Sequence, residues 1–136
     1  MTTVVLDNEA VQALATPHHP KGPMVFAHLV GQQQRRRRGV GIQTAWVPTT
    51  VRAEAGWDRT DPSSAGINRL RIDDRSLDTD TANATARLVA LYGVSPADAH
   101  IGATVAALGT DVSVLTSDPD DIARVCPPGI AQIIRI

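Results

Sequence analysis

Residues Gly93 to Ile122 read GVSPADAHIGATVAALGTDVSVLTSDPDDI, and their spacing predicts a helix, a strand and the start of another helix. Ser95-Pro96-Ala97-Asp98 is a helix start: a serine that can cap, a proline that fits the first helical position, and a carboxylate in the first turn. Apolar residues continue through Ile101, Val105 and Leu108, and Gly109 ends the run. Val112-Ser113-Val114-Leu115 is a short, mostly apolar run of strand type, and Thr116-Ser117-Asp118 with Pro119 opens the next helix at its C-terminal edge. The helix that begins near Asp98 feeds this strand through a short turn and so runs antiparallel to it. Asp98 and Asp118 are therefore expected on one rim, the rim where open parallel sheets bind ligands.

Outward from this stretch the same alternation holds. Thr3-Val4-Val5-Leu6 reads as a buried strand ending at Asp7, with Asp7 or Asn8 capping a helix whose inner residues are Ala10, Val11 and Leu14. Thr16 to Pro23 is a loop by its prolines and glycine, and Met24 to Arg38 a helix with Val25, His28 and Leu29 inward. Ile42 to Val47 is a second strand, after which Thr49 or Thr50 caps a helix carrying Val51, Glu54 and Ala55. A short helix at Ile67 to Arg69 leads to a small strand at Leu70-Arg71-Ile72. Asp78 to Tyr92 is helical, with Ala82, Ala86, Val89 and Leu91 expected inward, and Ile130 to Ile136 is a last strand. Strands alternating with helices predict one three-layer α/β/α domain over residues 1–136, with a mostly parallel sheet of about five strands.

Composition narrows the function classes. A chain of 136 residues with 43% hydrophobic and 20% charged residues has the make-up of a globular domain with a core. No apolar run reaches the roughly 18 residues that span a bilayer, and no basic-then-apolar leader opens the sequence, so no membrane partner is expected. The single Cys126 excludes an intrachain disulfide and fits a reducing cytoplasm. The net charge of −1 hides an uneven distribution: Arg35 to Arg38 are contiguous, while acids crowd into Asp73 to Asp80 and Asp118 to Asp121. The Arg run reads first as an exposed helix end and second as an RNA contact. Asp73, Asp74, Asp78 and Asp80 read as solvated or capping residues.

With right-handed crossovers, Asp7 and Asp118 follow strands, Asp98 opens a descending helix, and Glu54 lies about one turn into the helix after the second strand. Acids from separate parts of the chain thus converge on one rim. Converging carboxylates repel one another unless a cation is present. Hard oxygen donors without a Cys or His cluster favour Mg2+ or Mn2+. One such ion can activate a water, and two can clamp the attacking and leaving oxygens of a phosphodiester. Taken singly, Asp98 and Asp118 are equally well read as helix caps, Asp7 reads first as a cap or turn residue and Glu54 as a solvated helix residue.

The pieces VVLD (Val4 to Asp7), VPTTVRAE (Val47 to Glu54), SPADAHIGA (Ser95 to Ala103) and VLTSDPDDI (Val114 to Ile122) resemble, in order and approximate spacing, the PIN-domain ribonucleases, and more closely the VapC-type toxins of toxin–antitoxin pairs. The resemblance implies a Mg2+- or Mn2+-dependent endoribonuclease toxin. It also implies an RNA substrate, a cognate antitoxin, and a homodimer or toxin–antitoxin hetero-oligomer. Carried over by position, the catalytic and metal-binding acids are Asp7, Glu54, Asp98 and Asp118, with Asp121 as a supporting ligand. The chain departs from the pattern at Asn8 and Glu9, where a small residue usually follows the first Asp; His100 carries no assigned role. The alternatives are a PIN-like RNA- or protein-binding module without nuclease activity, and a phospho-receiver domain. The receiver needs a late lysine, and Lys21 is the only lysine here.

Overall fold

The first apolar run, Thr3–Leu6, forms strand β1 and is buried at all four positions. A continuous apolar run, rather than alternation, is what a parallel sheet covered on both faces requires. The computed structural model describes residues 3–37 and 45–136, the side chains of residues 32–37 excepted. After β1 come α1 (Asn8–Ala15), α2 (Gly22–Arg37), β2 (Ala45–Pro48), α3 (Thr49–Glu54), a 3-10 turn at Pro62–Ser64, α4 (Ala65–Asn68) and β3 (Asp73–Arg75). Then follow α5 (Thr79–Tyr92), α6 (Pro96–Leu108), β4 (Val112–Thr116), α7 (Pro119–Val125) and β5 (Ala131–Arg135).

The strands form one five-stranded sheet in the order β3-β2-β1-β4-β5, parallel at every pairing. The chain is thus an α/β protein with helices flanking an all-parallel sheet, the expected three-layer arrangement. β1 and β4 lie at the centre and are buried throughout. Burying side chains such as Leu6 and Leu115 there stabilises the fold by about 1.5–3 kcal/mol each. The strand order reverses at β1, so the crevice at the carboxyl ends of β1 and β4 is the topological switch point. Helix contacts fall into two groups, α1 with α2 and α4, and α5 with α6 and α7, as right-handed crossovers onto the two faces require. α3 touches both α1 and α6 and so lies across the rim.

The helix starts follow the sequence signals. Ser95 Oγ accepts from the Asp98 N–H at 3.1 Å with Pro96 at the first helical position, and Gly93 ends α5 with φ 66°. Asp78 caps α5 through Thr81 N at 2.8 Å, and Asp7, not Asn8, caps α1. α6 packs so closely on α7 that a Cβ at Gly102 would stand 2.5 Å from the Val125 carbonyl oxygen. Only glycine tolerates that approach.

Several expectations need correction. The third strand is Asp73–Arg75, not Leu70–Ile72, because Arg71 takes a left-handed φ of 50° and turns the chain before pairing with β2 begins. A three-residue edge strand bearing charges is also one way a sheet edge is kept from pairing with other chains. In α5 the inner positions are Thr85, Leu88, Val89 and Tyr92, whereas Ala86 is exposed and Leu91 is 71% exposed. Neither Thr49 nor Thr50 caps α3: Pro48 precedes it with no side-chain cap bond, and both threonine hydroxyls reach other segments. Of the second strand, Ala45 to Val47 is observed with Pro48 added, and residues 42–44 lie outside the described residues. Among the described residues, no helix is long and apolar enough to cross a membrane.

Candidate functional site

Asp7 is the first residue beyond β1, and its backbone N–H still reaches the Leu115 carbonyl of β4 at 3.2 Å. The residue is 6% exposed, and its carboxylate is held by backbone donors from both sides of the crevice. Oδ1 accepts from Ala10 N at 2.8 Å and Oδ2 from Ser117 N at 3.0 Å. Thr116, the last residue of β4, adds a hydrogen bond from its hydroxyl to the same carboxylate. Burial pushes the Asp7 carboxyl above its ordinary range despite these three donors, and the nearby Glu9 charge adds a smaller push upward.

Thr116 also connects Asp7 to the next acid. Its fully buried Oγ1 accepts from Asp118 N at 2.9 Å, so one hydroxyl serves both the Asp7 carboxylate and the turn carrying Asp118. Asp118 is exposed and caps α7, with Asp121 N 3.4 Å from its Oδ1. The turn Thr116-Ser117-Asp118 thereby supplies a donor to Asp7, a cap to α7 and a second carboxylate at the rim. The sequence flagged Asp118 but not Thr116. The signal that could have found it is a Thr two residues before a capping Asp, a short polar turn that bonds its own backbone.

Asp98 lies in the first turn of α6 and is half-buried. Its carboxyl is held above the ordinary range by burial first, then by the charges of Asp118 and Asp121, with a further contribution from Glu54; a Ser95 hydrogen bond opposes the shift. The structure therefore brings Asp118, Asp121 and Glu54 into electrostatic range of Asp98. Asp7 sits beside them through Ser117 and Thr116.

Glu54 closes α3 and is exposed, with Oε1 accepting from Asn8 Nδ2 at 2.8 Å. Asn8, the unusual residue after the first acid, thus holds a site carboxylate. Glu9, the other departure, is paired with the α1–α2 connection: its Oε1 is 3.3 Å from His19 Nε2 and 3.6 Å from Lys21 Nζ. Asp121 pairs with Arg124 Nη1 at 3.1 Å, and the same guanidinium donates to the Tyr92 carbonyl at 2.7 Å.

Among the described residues, no three His, Cys, Asp or Glu side chains stand close enough together to hold a metal ion. The rim supplies carboxylates from separate elements, spaced more widely than a closed coordination shell. The chemistry of the donor set fits a hard divalent cation. Arg35 to Arg37 end α2, but their side chains, and Arg38 entirely, lie outside the described residues.

The remaining candidates are structural. Cys126 is buried, and burial pushes its thiol up to about 11, which leaves it inert. Trp57 is buried beneath Arg59, whose Cζ is 4.2 Å from the ring centroid. Asp74 is no cap and is only partly solvated, because two guanidinium groups hold it: Arg52 Nε approaches its Oδ1 at 3.1 Å and Arg59 Nη2 at 2.9 Å. A cavity of about 560 Å³ lined by Thr110, Asp111, Gly129 and Gln132 opens at the amino ends of β4 and β5, on the rim opposite the acids. No protein-family model matches the sequence, and no curated protein matches it.

Proposed function

We propose that this chain is a metal-dependent endoribonuclease of the PIN-like type, acting as the toxin of a toxin–antitoxin pair. The observation that carries the reading is the environment of Asp98. Three other carboxylates, Asp118, Asp121 and Glu54, bear on it at the switch point of an all-parallel sheet. A fold gains no stability from gathering like charges, so the cluster is better explained by a cation it is built to receive. Asp7, Glu54, Asp98 and Asp118 would hold Mg2+ or Mn2+, with Asp121 in support. A bound ion of this kind lowers the pKa of water and offsets the charge developing on a phosphodiester. The chain's own part is preorganisation. Backbone donors from Ala10 and Ser117 and the Thr116 hydroxyl fix Asp7 before any substrate arrives.

RNA is the proposed substrate, on the sequence resemblance and the Arg-rich end of α2. The proposed protein partner is an antitoxin. A groove of about 790 Å³ between α1, α2 and α4, lined by Leu14, Phe26 and Leu70 with Phe26 46% exposed, is the kind of apolar surface a partner covers.

The test is cleavage of total RNA by the purified chain in Mg2+ or Mn2+ and in chelator, with Asp7→Asn and Asp118→Asn prepared alongside. Discrete fragments that require both metal and the acids support the reading. Equal cleavage by the variants marks a contaminating nuclease. Absence of cleavage together with absence of Mn2+ binding by calorimetry leaves a binding module.

A further inference from the structure

The imidazole of His100 and the hydroxyl of Thr50 meet at 2.7 Å between Nδ1 and Oγ1. His100 is completely buried, two residues beyond Asp98 on α6. Thr50 lies in the first turn of α3, four residues before Glu54, a spacing that puts both on one side of the helix. The contact is thus a direct polar link between the helix that carries Glu54 and the helix that carries Asp98.

α3 depends on such links. It has six residues and no side-chain cap, too short to hold its own orientation. Its placement comes from tertiary ties: Val51 in the core, Thr49 Oγ1 accepting from Leu77 N at 3.2 Å, Arg52 against Asp74, Asn8 donating to Glu54, and the Thr50–His100 bond, the one of these that reaches α6. The imidazole, in turn, has no well-aligned bond at its buried Nε2, and its remaining polar neighbour is the backbone of Ser76. Loss of the Thr50 hydroxyl would leave Nδ1 unpaired in a buried site, the costly case for a buried polar group. The carboxylates of Glu54 and Asp98 repel each other, so a weakened tie lets them move apart.

We infer that Thr50 and His100 are positioning residues that set the separation of Glu54 and Asp98, and through it the affinity of the rim for a divalent cation. The inference rests on the nuclease reading. It assigns a use to the one motif residue, His100, that the resemblance leaves without a role.

The experiment is calorimetric titration of Mn2+ into the wild type, Thr50→Val, Thr50→Ala and Thr50→Ser, together with steady-state RNA cleavage and thermal melting. Val25→Ala, a core truncation on α2, serves as a control for lowered stability alone. Thr50→Val should weaken Mn2+ binding by about 10-fold or more, the usual scale for losing a group that orients a ligand. Its kcat should fall with little change in KM for RNA. Thr50→Ser should restore both, and Val25→Ala should melt lower yet bind Mn2+ normally. Should Thr50→Val fail to fold, Thr50→Ala carries the same expectation. Wild-type affinity and kcat in a folded Thr50→Val or Thr50→Ala overturn the inference while leaving the nuclease reading intact. A wild type that binds no Mn2+ overturns both.

Discussion

Two groups of charged side chains flank α3, and they are built on opposite principles. On the side toward β3, Asp74 receives Arg52 and Arg59. Arg59 also donates to the Ile72 carbonyl at 2.7 Å and covers Trp57, whose indole N–H bonds Asn68 Oδ1 at 3.0 Å. Each charge there meets its opposite, and the side chains are about a quarter to a third exposed. On the side toward α6, Asp98 meets Asp118, Asp121 and Glu54, all of its own sign. The first corner holds a three-residue edge strand, a 3-10 turn and a four-residue helix in place, work that their few apolar residues cannot do alone. The second stabilises nothing by itself. Side by side, the two corners show that acidic residues in one small protein can be either fasteners or a stored repulsion, and that the neighbours' sign decides which.

The comparison breaks most sharply at Asp98. An acid whose folded-state pKa is raised costs stability wherever it is ionised, and the cost disappears as pH falls through that raised value toward the ordinary 3.8. In chelator at pH 7 to 8, Asp98→Asn should therefore melt slightly above the wild type. The gain should stay below about 1 kcal/mol, because the group is half exposed and solvent screens it. It should close as the pH is lowered into the carboxylate range. RNA cleavage by the same variant should fall by more than the roughly 10–100-fold that follows loss of a second-layer partner of a metal ligand. A variant that melts lower and cleaves normally would place Asp98 with the fasteners.

Asp74→Asn should do the reverse. It removes the charge that faces two guanidinium groups and leaves the buried Arg52 Nε, which has no hydrogen bond, without its ion-pair partner. The expected cost is about 1–3 kcal/mol of stability, seen in denaturant or thermal unfolding. Mn2+ affinity per folded molecule should stay near that of the wild type. An unchanged melting point would mean that the pair is screened at the surface and that the comparison overstates it.

How much of this the sequence disclosed depends on how local each interaction is. β1 and β4 were legible because fully buried parallel strands are written as mostly apolar, β-branched runs. The helix starts at Ser95, Asp78 and Asp118 were legible because a cap bonds a backbone N–H only three residues on. The rim positions of Asp7 and Asp118 followed from strand direction alone. β3 was misplaced because an edge strand made of Asp73, Asp74 and Arg75 carries no apolar signature, while the apolar Leu70 and Ile72 beside it do. On α5 the inward expectation holds at Val89 and fails at Ala86 and Leu91, because alanines satisfy both faces and only packing against Val94, Ala99 and Val125 selects Leu88 and Tyr92 beside Val89. The Thr116 hydroxyl, the Asn8–Glu54 bond and the Thr50–His100 link were invisible for another reason. The partners lie 109, 46 and 50 residues apart, and no local pattern announces them.

Arg124 offers the finest test, because it is a cation placed at the acid rim. Its Nη1 sits 3.1 Å from Asp121 Oδ1 and its Nη2 donates to the carbonyl that ends α5. At 51% exposed it belongs to the class of surface pairs that contribute between about 0 and 1 kcal/mol. Arg124→Gln should therefore leave the melting point within about 1 kcal/mol of wild type. Its effect should appear in ion binding instead. With the guanidinium gone, Asp121 faces only other acids, and the rim becomes more negative by one charge. Mn2+ affinity should rise by less than about 10-fold, a difference of under 1.4 kcal/mol. The gain should shrink as salt is raised from about 0.01 to 0.15 M, where the screening length falls from about 30 to 8 Å. An affinity that drops in Arg124→Gln would show that the arginine orients Asp121 as a ligand, and the rim would then contain one fastener of its own.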